Sequence, residues 1–302
     1  MKDMNSICLD KNYSTTRLLT KVNINIIKNR EDKGGLRTQG YLKKSFDDKP
    51  LVSIVTVVYN GEVFLEKTIQ SVINQSYSNI EYIIIDGGST DETVDIIKKY
   101  EDRIDYWVSE IDSGIYDAMN KGIDLASGDW INFMNAGDSF VGCNVLLNLN
   151  YFLSDINYDI IYGDVNIIDT NNSKNLYHRI SHIIDKSFLM EGTICHQSIF
   201  FRKILFDMYE KHDLSYKIVG DFERLVCFFK KGVKFKHSNM VICNYLNDGF
   251  SVKNYYKGNI ERLLVLKKSK WSSVKIIIIH WIFIVYGWLH QQKIRLTKYT
   301  GR

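Results

Sequence analysis

With 302 residues, 35.2 kDa, 45% apolar and 25% charged side chains, the chain can bury the core of one large domain with appendages. That composition excludes disorder throughout and a polytopic membrane protein. The net charge of +4 is too mild to point to nucleic acid, yet it is unevenly placed: from Ser251 onward eleven Lys and Arg face the single acid Glu261, so the tail carries +10 and the remainder −6.

Residues 1–49 are polar, rich in Asn and Lys and without sustained period, and are expected to be an extension ordered in part at best. The polar start lacks an apolar h-region, and the five cysteines (Cys8, Cys143, Cys195, Cys227, Cys243) have neither metal nor redox spacing, so a reducing, cytoplasmic setting is expected. Order should begin after Pro50. The β-branched run 51–58 reads as a buried strand closed by a Tyr59-Asn60-Gly61 turn, and 63–74 has apolar residues at helical spacing. A second buried strand at 81–85 ends in Asp86-Gly87-Gly88. Ser89-Thr90-Asp91-Glu92 then reads as a capping box opening a helix to about residue 100. A short strand at 104–108, a loop at Asp112-Ser113-Gly114, a helix at 115–126 stopped by Gly128, and a strand at 130–134 follow. Such alternation predicts a largely parallel sheet with helices on both faces. Ligands then sit beyond the carboxyl ends of strands, where Asp86 and Asp138 fall. Further strands are expected at 158–162, 165–168, 195–201 and 233–243, with a helix at 222–230 behind Gly220-Asp221.

Each candidate acid has two readings. Asp86, before two glycines, suits either a nucleobase or ribose contact or a turn Asp capping the next helix. Asp138, across a turn of small residues, suits either an oxygen ligand for Mg²⁺ or Mn²⁺ or a structural turn. Asp221 suits either a general base or a helix cap. His196 and Arg202 flank an apolar stretch that could line the same cleft. Neither a G-x-G-x-x-G after a strand nor a P-loop is present, which removes the commonest nucleotide-binding enzymes.

Jointly these motifs are specific. The run from Pro50 to Asp138 resembles the nucleotide-binding half of inverting family-2 glycosyltransferases of GT-A fold. The resemblance rests on Tyr59-Asn60, on Asp86-Gly87-Gly88-Ser89-Thr90-Asp91, on Ile115 to Gly122, on Ala126-Ser127-Gly128-Asp129, and on Asn135-Ala136-Gly137-Asp138 in place of the metal-binding segment. Cys195-His196-Gln197-Ser198 and Tyr216 to Asp221 are similar to the acceptor side of a subgroup that builds colanic acid and O-antigen polysaccharides. The likeness covers about residues 50–249. It implies nucleotide-sugar contacts from Thr56, Tyr59, Asp86, Asp112, Asn120 and Asn135, and an acceptor side of His196, Gln197 and Arg202. It also implies a divalent cation (Mg²⁺ or Mn²⁺) on Asp138, and Asp221 as the base for inverting transfer. The chain departs from the family in having Asn135 and Gly137 where further carboxylates are usual, and Gly220 where many relatives carry an acid.

The tail segment 276–289 is apolar almost all round but rises only ~21 Å as a helix, short of the ~30 Å of a hydrocarbon core. Lysines and arginines flank both its ends. A helix lying in an anionic membrane surface explains both features, with Trp271, Trp281, Tyr286 and Trp288 near the headgroups; docking on protein is the alternative. The expected organisation is therefore a polar extension (1–49), an α/β GT-A domain with a mostly parallel sheet (50–250), and a membrane-associating tail (251–302). The expected activity is transfer from a nucleotide-diphosphate sugar to a lipid-linked sugar acceptor in bacterial surface-polysaccharide synthesis at the cytoplasmic face of the membrane. A sugar nucleotidyltransferase and a non-catalytic nucleotide-binding scaffold are the rivals.

Overall fold

The computed structural model describes residues 32–169, 174–181, 183–247, 249–271, 274, 277–278 and 280–285. Cys8, Tyr286 and Trp288, with the first 31 residues of the expected extension, lie outside them. The first half runs β1 (Asp32–Gly34), β2 (Val52–Val58), α1 (Leu65–Ile73), β3 (Ile80–Asp86), α2 (Thr93–Lys99), β4 (Tyr106–Ser109), α3 (Ile115–Leu125), β5 (Trp130–Phe133) and β6 (Ser139–Phe140). The second half runs α4 (Val145–Leu153), β7 (Ile160–Ile168), β8 (Asn175–Arg179), α5 (Lys186–Glu191), β9 (Ile199–Arg202), α6 (Ile204–Met208), α7 (Gly220–Lys230), β10 (Phe235–Leu246), α8 (Phe250–Lys253) and α9 (Tyr255–Lys268).

Every residue of β2 and β3 is buried. Their alternate side chains enter two cores: Val55, Val57, Ile83 and Ile85 join α3, α7 and α9 on one face, while Val52, Ile54, Tyr82 and Ile84 join α1, α2 and α4 on the other. A strand buried on both faces needs no polar alternation, which is why these segments read as continuous apolar runs. Among the described residues the sheet has ten strands, ordered β1-β4-β3-β2-β5-β9-β7-β10-β6, with β8 on β7. Pairing is parallel from β4 through β5, as the alternation predicts. Beyond β5 the sheet is mixed, because β9 runs antiparallel to both β5 and β7. The ends of β2, β3, β4 and β5 therefore share one edge with the start of β9, and this edge carries Asp86 and His196.

Residues 32–49 are woven into the domain rather than trailing from it. β1 pairs antiparallel with β4, Arg37 is buried in an ion pair with Glu81, and Arg37 Nη1 donates to Leu125 O at 2.6 Å. Lys43 Nζ lies 2.7 Å from Asp105 Oδ2. Charges buried this deeply must be paired, and the partners are far away in sequence. The expected capping box also does not form: α2 starts at Thr93 with Glu92 as an N-cap that makes no side-chain bond, because Ser89 is used elsewhere. Helix α3 ends at Leu125 with Ala126 as its C-cap, ahead of Gly128.

Candidate active site

Asp86, the last residue of β3, is fully buried. Its Oδ2 accepts from the N–H groups of Gly88 (3.2 Å) and Ser89 (2.9 Å) and from Ser109 Oγ (2.6 Å), while Ser89 Oγ donates to Oδ1. The same Ser89 Oγ accepts from Asn60 N–H at 2.7 Å, and Asn60 Oδ1 accepts from Thr90 N–H at 2.9 Å. The loops after β2 and β3 are thus stitched together, with Tyr59 standing 65% exposed above them. A Cβ on Gly87 would sit 2.6 Å from Asp112 Oδ2, so a residue without one is what lets Asp112 close on Asp86. Burial raises the Asp112 carboxyl above the usual range, against Gly114 N–H and Lys121, and the negative charge of Asp86 adds to the rise.

The second half of the site is a hydrogen-bonded chain. His196, in the turn before β9, places Nδ1 3.0 Å from Asp221 Oδ2 and Nε2 2.9 Å from Asn135 Nδ2. A carboxylate cannot donate, so Nδ1 carries the proton and Nε2 accepts from the Asn135 amide. Asp221 Oδ1 accepts from Phe222 N–H at 2.8 Å and from Tyr116 Oη at 3.2 Å. Burial pushes the Asp221 carboxyl up, but the hydrogen bond from His196, the charge that ring carries when protonated, and Phe222 N–H outweigh it and hold the carboxyl below its ordinary value. The His196 and Asp221 side chains keep 15% and 18% of their surface open, so the pair faces outward from an otherwise closed wall.

Asp138 is 6% exposed. Its Oδ1 accepts from Leu246 N–H (2.9 Å) and its Oδ2 from Gln197 Nε2 (2.6 Å). Burial raises it to about 6, against those two donors and the charge of His196. Among the described residues no group of three or more His, Cys, Asp or Glu could hold a metal ion. The oxygen donors present are Asp138 and the amide oxygens of Asn135 and Gln197, both buried without a hydrogen-bond partner. Oxygen donors of this kind suit a hard divalent cation.

Three of the residues expected at the site are engaged elsewhere. Thr56 is fully buried, its Oγ1 donating to Met134 O at 2.8 Å beside Tyr82 Oη. Asn120 uses both ends of its amide on the backbone of His212, 2.9 Å each way. Arg202 pairs in register with Trp130 at the opposite end of β5, donates to Tyr158 O and Asp155 O, and stacks on the Trp130 ring. The antiparallel run of β9 carries it away from His196.

Tyr116, Gly220 and Glu261 complete the surroundings of Asp221. Tyr116 Oη lies 2.7 Å from Ile218 O, so its one proton is shared between that carbonyl and Asp221. A Cβ on Gly220 would lie 2.9 Å from the Tyr116 ring, so the glycine lets that ring lie against the start of α7. Glu261 accepts from the N–H groups of Lys217, Ile218 and Val219, fixing the approach to Asp221. Its being the only acid in a basic tail was the signal for it.

Beyond α9, the described residues of 274–285 are helical. His280 is buried with Nε2 3.2 Å from Met190 O, whereas Val274, Ile277, Ile278, Trp281, Ile282 and Val285 are all exposed. Trp271, expected near headgroups, instead packs edge-on against Phe229. Among the described residues no helix is long and apolar enough to cross a membrane.

A family model for Glycosyl transferase family 2 matches residues 53–217. A Mycobacterium bovis protein named PGL/p-HBAD biosynthesis glycosyltransferase is 31% identical over 202 residues, 65% of this chain and 77% of its own. An uncharacterized glycosyltransferase of Haemophilus influenzae is 34% identical over 146 residues, 47% of this chain and 58% of its own. Among solved structures, the mannosyltransferase PcManGT from Pyrobaculum calidifontis, in complex with GDP-Man and Mn²⁺, superposes with a TM-score of 0.57 at 15% identity, covering 74% of this chain and 65% of that one. S. aureus TarS 1-349 in complex with UDP-GlcNAc gives 0.54 at 14% identity, covering 78% and 71%. Likeness at such identity speaks to the fold.

Proposed function

The chain belongs to glycosyltransferase family 2, and from that premise we propose that it transfers a sugar, with inversion, from a nucleotide-diphosphate donor to a hydroxyl of a lipid-linked acceptor. Membership in this family and the GT-A architecture leave the nucleotidyltransferase reading without support. The observation that carries the proposal is the Asp221 carboxylate, kept ionised and oriented by His196, Tyr116 and Phe222 N–H on the sheet edge that also bears Asp86 and Asp112.

In this reading the loop of Tyr59, Asp86 and Asp112 takes the nucleoside, its buried carboxylate and exposed ring suiting a base or ribose. Asp221 Oδ2 retains a free lone pair beside the His196 bond. It accepts the acceptor's hydroxyl proton as that oxygen bonds to the anomeric carbon and the bond to the diphosphate oxygen breaks. His196 Nδ1–H steadies the carboxylate before the proton arrives. Asp138, with the Asn135 and Gln197 amide oxygens, would hold a divalent cation, which when bound offsets the diphosphate charge.

The exposed apolar stripe at 274–285 and the basic tail support a place on an anionic membrane surface, where a lipid-linked acceptor would be met. The mycobacterial relative's name supports a role in surface glycoconjugate synthesis. The decisive experiment incubates the full chain and membrane lipid extract with a panel of nucleotide sugars, with and without Mn²⁺, and follows nucleotide release. Acceptor-dependent release that vanishes in Asp221→Asn is expected. No release with any donor would leave a nucleotide-binding scaffold as the better account.

A further inference from the structure

Arg179 and Arg262 come from β8 and α9, yet both close on one short loop. Arg179 Nη2 donates to Thr193 O at 2.6 Å, and Arg262 Nη2 donates to the adjacent carbonyl, Gly192 O, at 2.5 Å. Arg179 Nη1 lies 3.7 Å from Cys195 Sγ, one residue before His196. The Arg262 guanidinium stacks 4.5 Å from the centroid of Phe222, the neighbour of Asp221. Two cations are therefore gathered beside the His196–Asp221 pair. Among the described residues neither has a salt-bridge partner, and Arg262 Nε is buried with no hydrogen bond at all. Burial lowers the Arg262 guanidinium to about 10, with the charge of Arg179 pressing the same way and that of Asp221 opposing.

Like charges brought together out of water are costly; the one carboxylate whose charge reaches Arg262 is Asp221, and carbonyl contacts satisfy only part of each five-donor fork. An arrangement like this is completed by an anion, and guanidinium forks match phosphate oxygens bidentately. We propose that Arg179 and Arg262 form a seat for a diphosphate ester next to the transfer site, supplying positive charge that the single carboxylate Asp138 can gather only through a metal ion. The diphosphate has two possible sources: the nucleoside diphosphate of the donor, or the lipid diphosphate that carries the acceptor. The nature of the anion rests on the transferase reading, but the test needs no turnover.

Binding of inorganic pyrophosphate, UDP, GDP and farnesyl diphosphate to the full chain is measured calorimetrically in EDTA, for the parent and for Arg179→Gln and Arg262→Gln variants shown to be folded by circular dichroism. Pyrophosphate should bind the parent without metal, and each variant should weaken it on the order of 10–100-fold, as expected for a charge-assisted hydrogen bond. A parallel loss for UDP or GDP assigns the seat to the donor, and a parallel loss for farnesyl diphosphate assigns it to the lipid. Should a variant not fold, phenylglyoxal labelling of the parent decides instead: pyrophosphate should slow modification of both arginines. Parent-like affinity for every probe in the folded variants, or labelling that pyrophosphate leaves unchanged, overturns the proposal. Binding lost with Asp221→Asn still active would uphold the seat and reject the base, so the two readings fail separately.

Discussion

Replacing Asp138 by Asn should make the metal-free protein more stable at neutral pH and flatten part of its pH dependence. Burial raises the Asp138 carboxyl to about 6, whereas an Asp in an unfolded chain titrates near ~3.9. Because the folded value is the higher one, the group's favourable contribution is complete below about pH 4. It is lost as pH rises through about 6 and levels off beyond. A rise of about two units, at ~1.4 kcal/mol each, amounts to on the order of 3 kcal/mol, a large part of the ~5–15 kcal/mol that holds an ordinary domain together. Asparagine has no charge to desolvate. Its oxygen can keep the bond from Leu246 N–H, and its amide can donate to Gln197 once that side chain turns over, which also pairs the Gln197 Oε1 now buried without a partner. Denaturant unfolding in EDTA, from about pH 4 to about pH 8, should show the parent losing on the order of 3 kcal/mol relative to the variant. Parallel stability profiles for the two proteins would refute the reasoning.

Asp221→Asn should slow transfer by ~10²–10⁴-fold while leaving nucleoside-diphosphate binding in place, read by turnover and calorimetry side by side. Arg37→Met strands the buried Glu81 carboxylate and should cost about 3–5 kcal/mol in urea unfolding; adding Glu81→Met should recover most of it, and a single variant as stable as the parent would show the ion pair to be idle. Ile278→Glu with Ile282→Glu, both on the exposed stripe, should abolish flotation with anionic vesicles without moving Tm. Unaltered flotation would sink the membrane assignment. Mn²⁺ should raise the Tm of the parent more at about pH 7.5 than at about pH 5.5, because a protonated Asp138 cannot ligate, and should do nothing for Asp138→Asn.

The strands β2 and β3 were legible because continuous β-branched runs between turn residues have few other uses, and Asp86 was legible as the residue that ends one of them. The second half was harder. Helix α4 and the β8 strand carry no cap or turn signature that stands out from their surroundings. Ser89 looked like a helix cap because the local pattern fits one, yet its hydroxyl donates to Asp86 three residues back and accepts from Asn60 N–H, a bond visible only once the two loops meet. Arg202 looked like part of the acceptor wall because it is close to His196 in sequence. An extended strand separates residues quickly in space, and β9 takes Arg202 to the far edge of the sheet.

The amino-acid sequence by itself determined the alternating α/β layout, the sheet edge that bears Asp86 and the family to which the chain belongs, since all three depend on short-range pattern and on motifs a few residues long. Tertiary structure alone decided that residues 32–49 brace the sheet, that Tyr116 and Glu261 hold the approach to Asp221, and that Arg179 and Arg262 converge beside it. Those relations join side chains up to about a hundred positions apart. No local spacing encodes them; they follow from which buried charges and hydroxyls the packed sheet leaves within reach of one another.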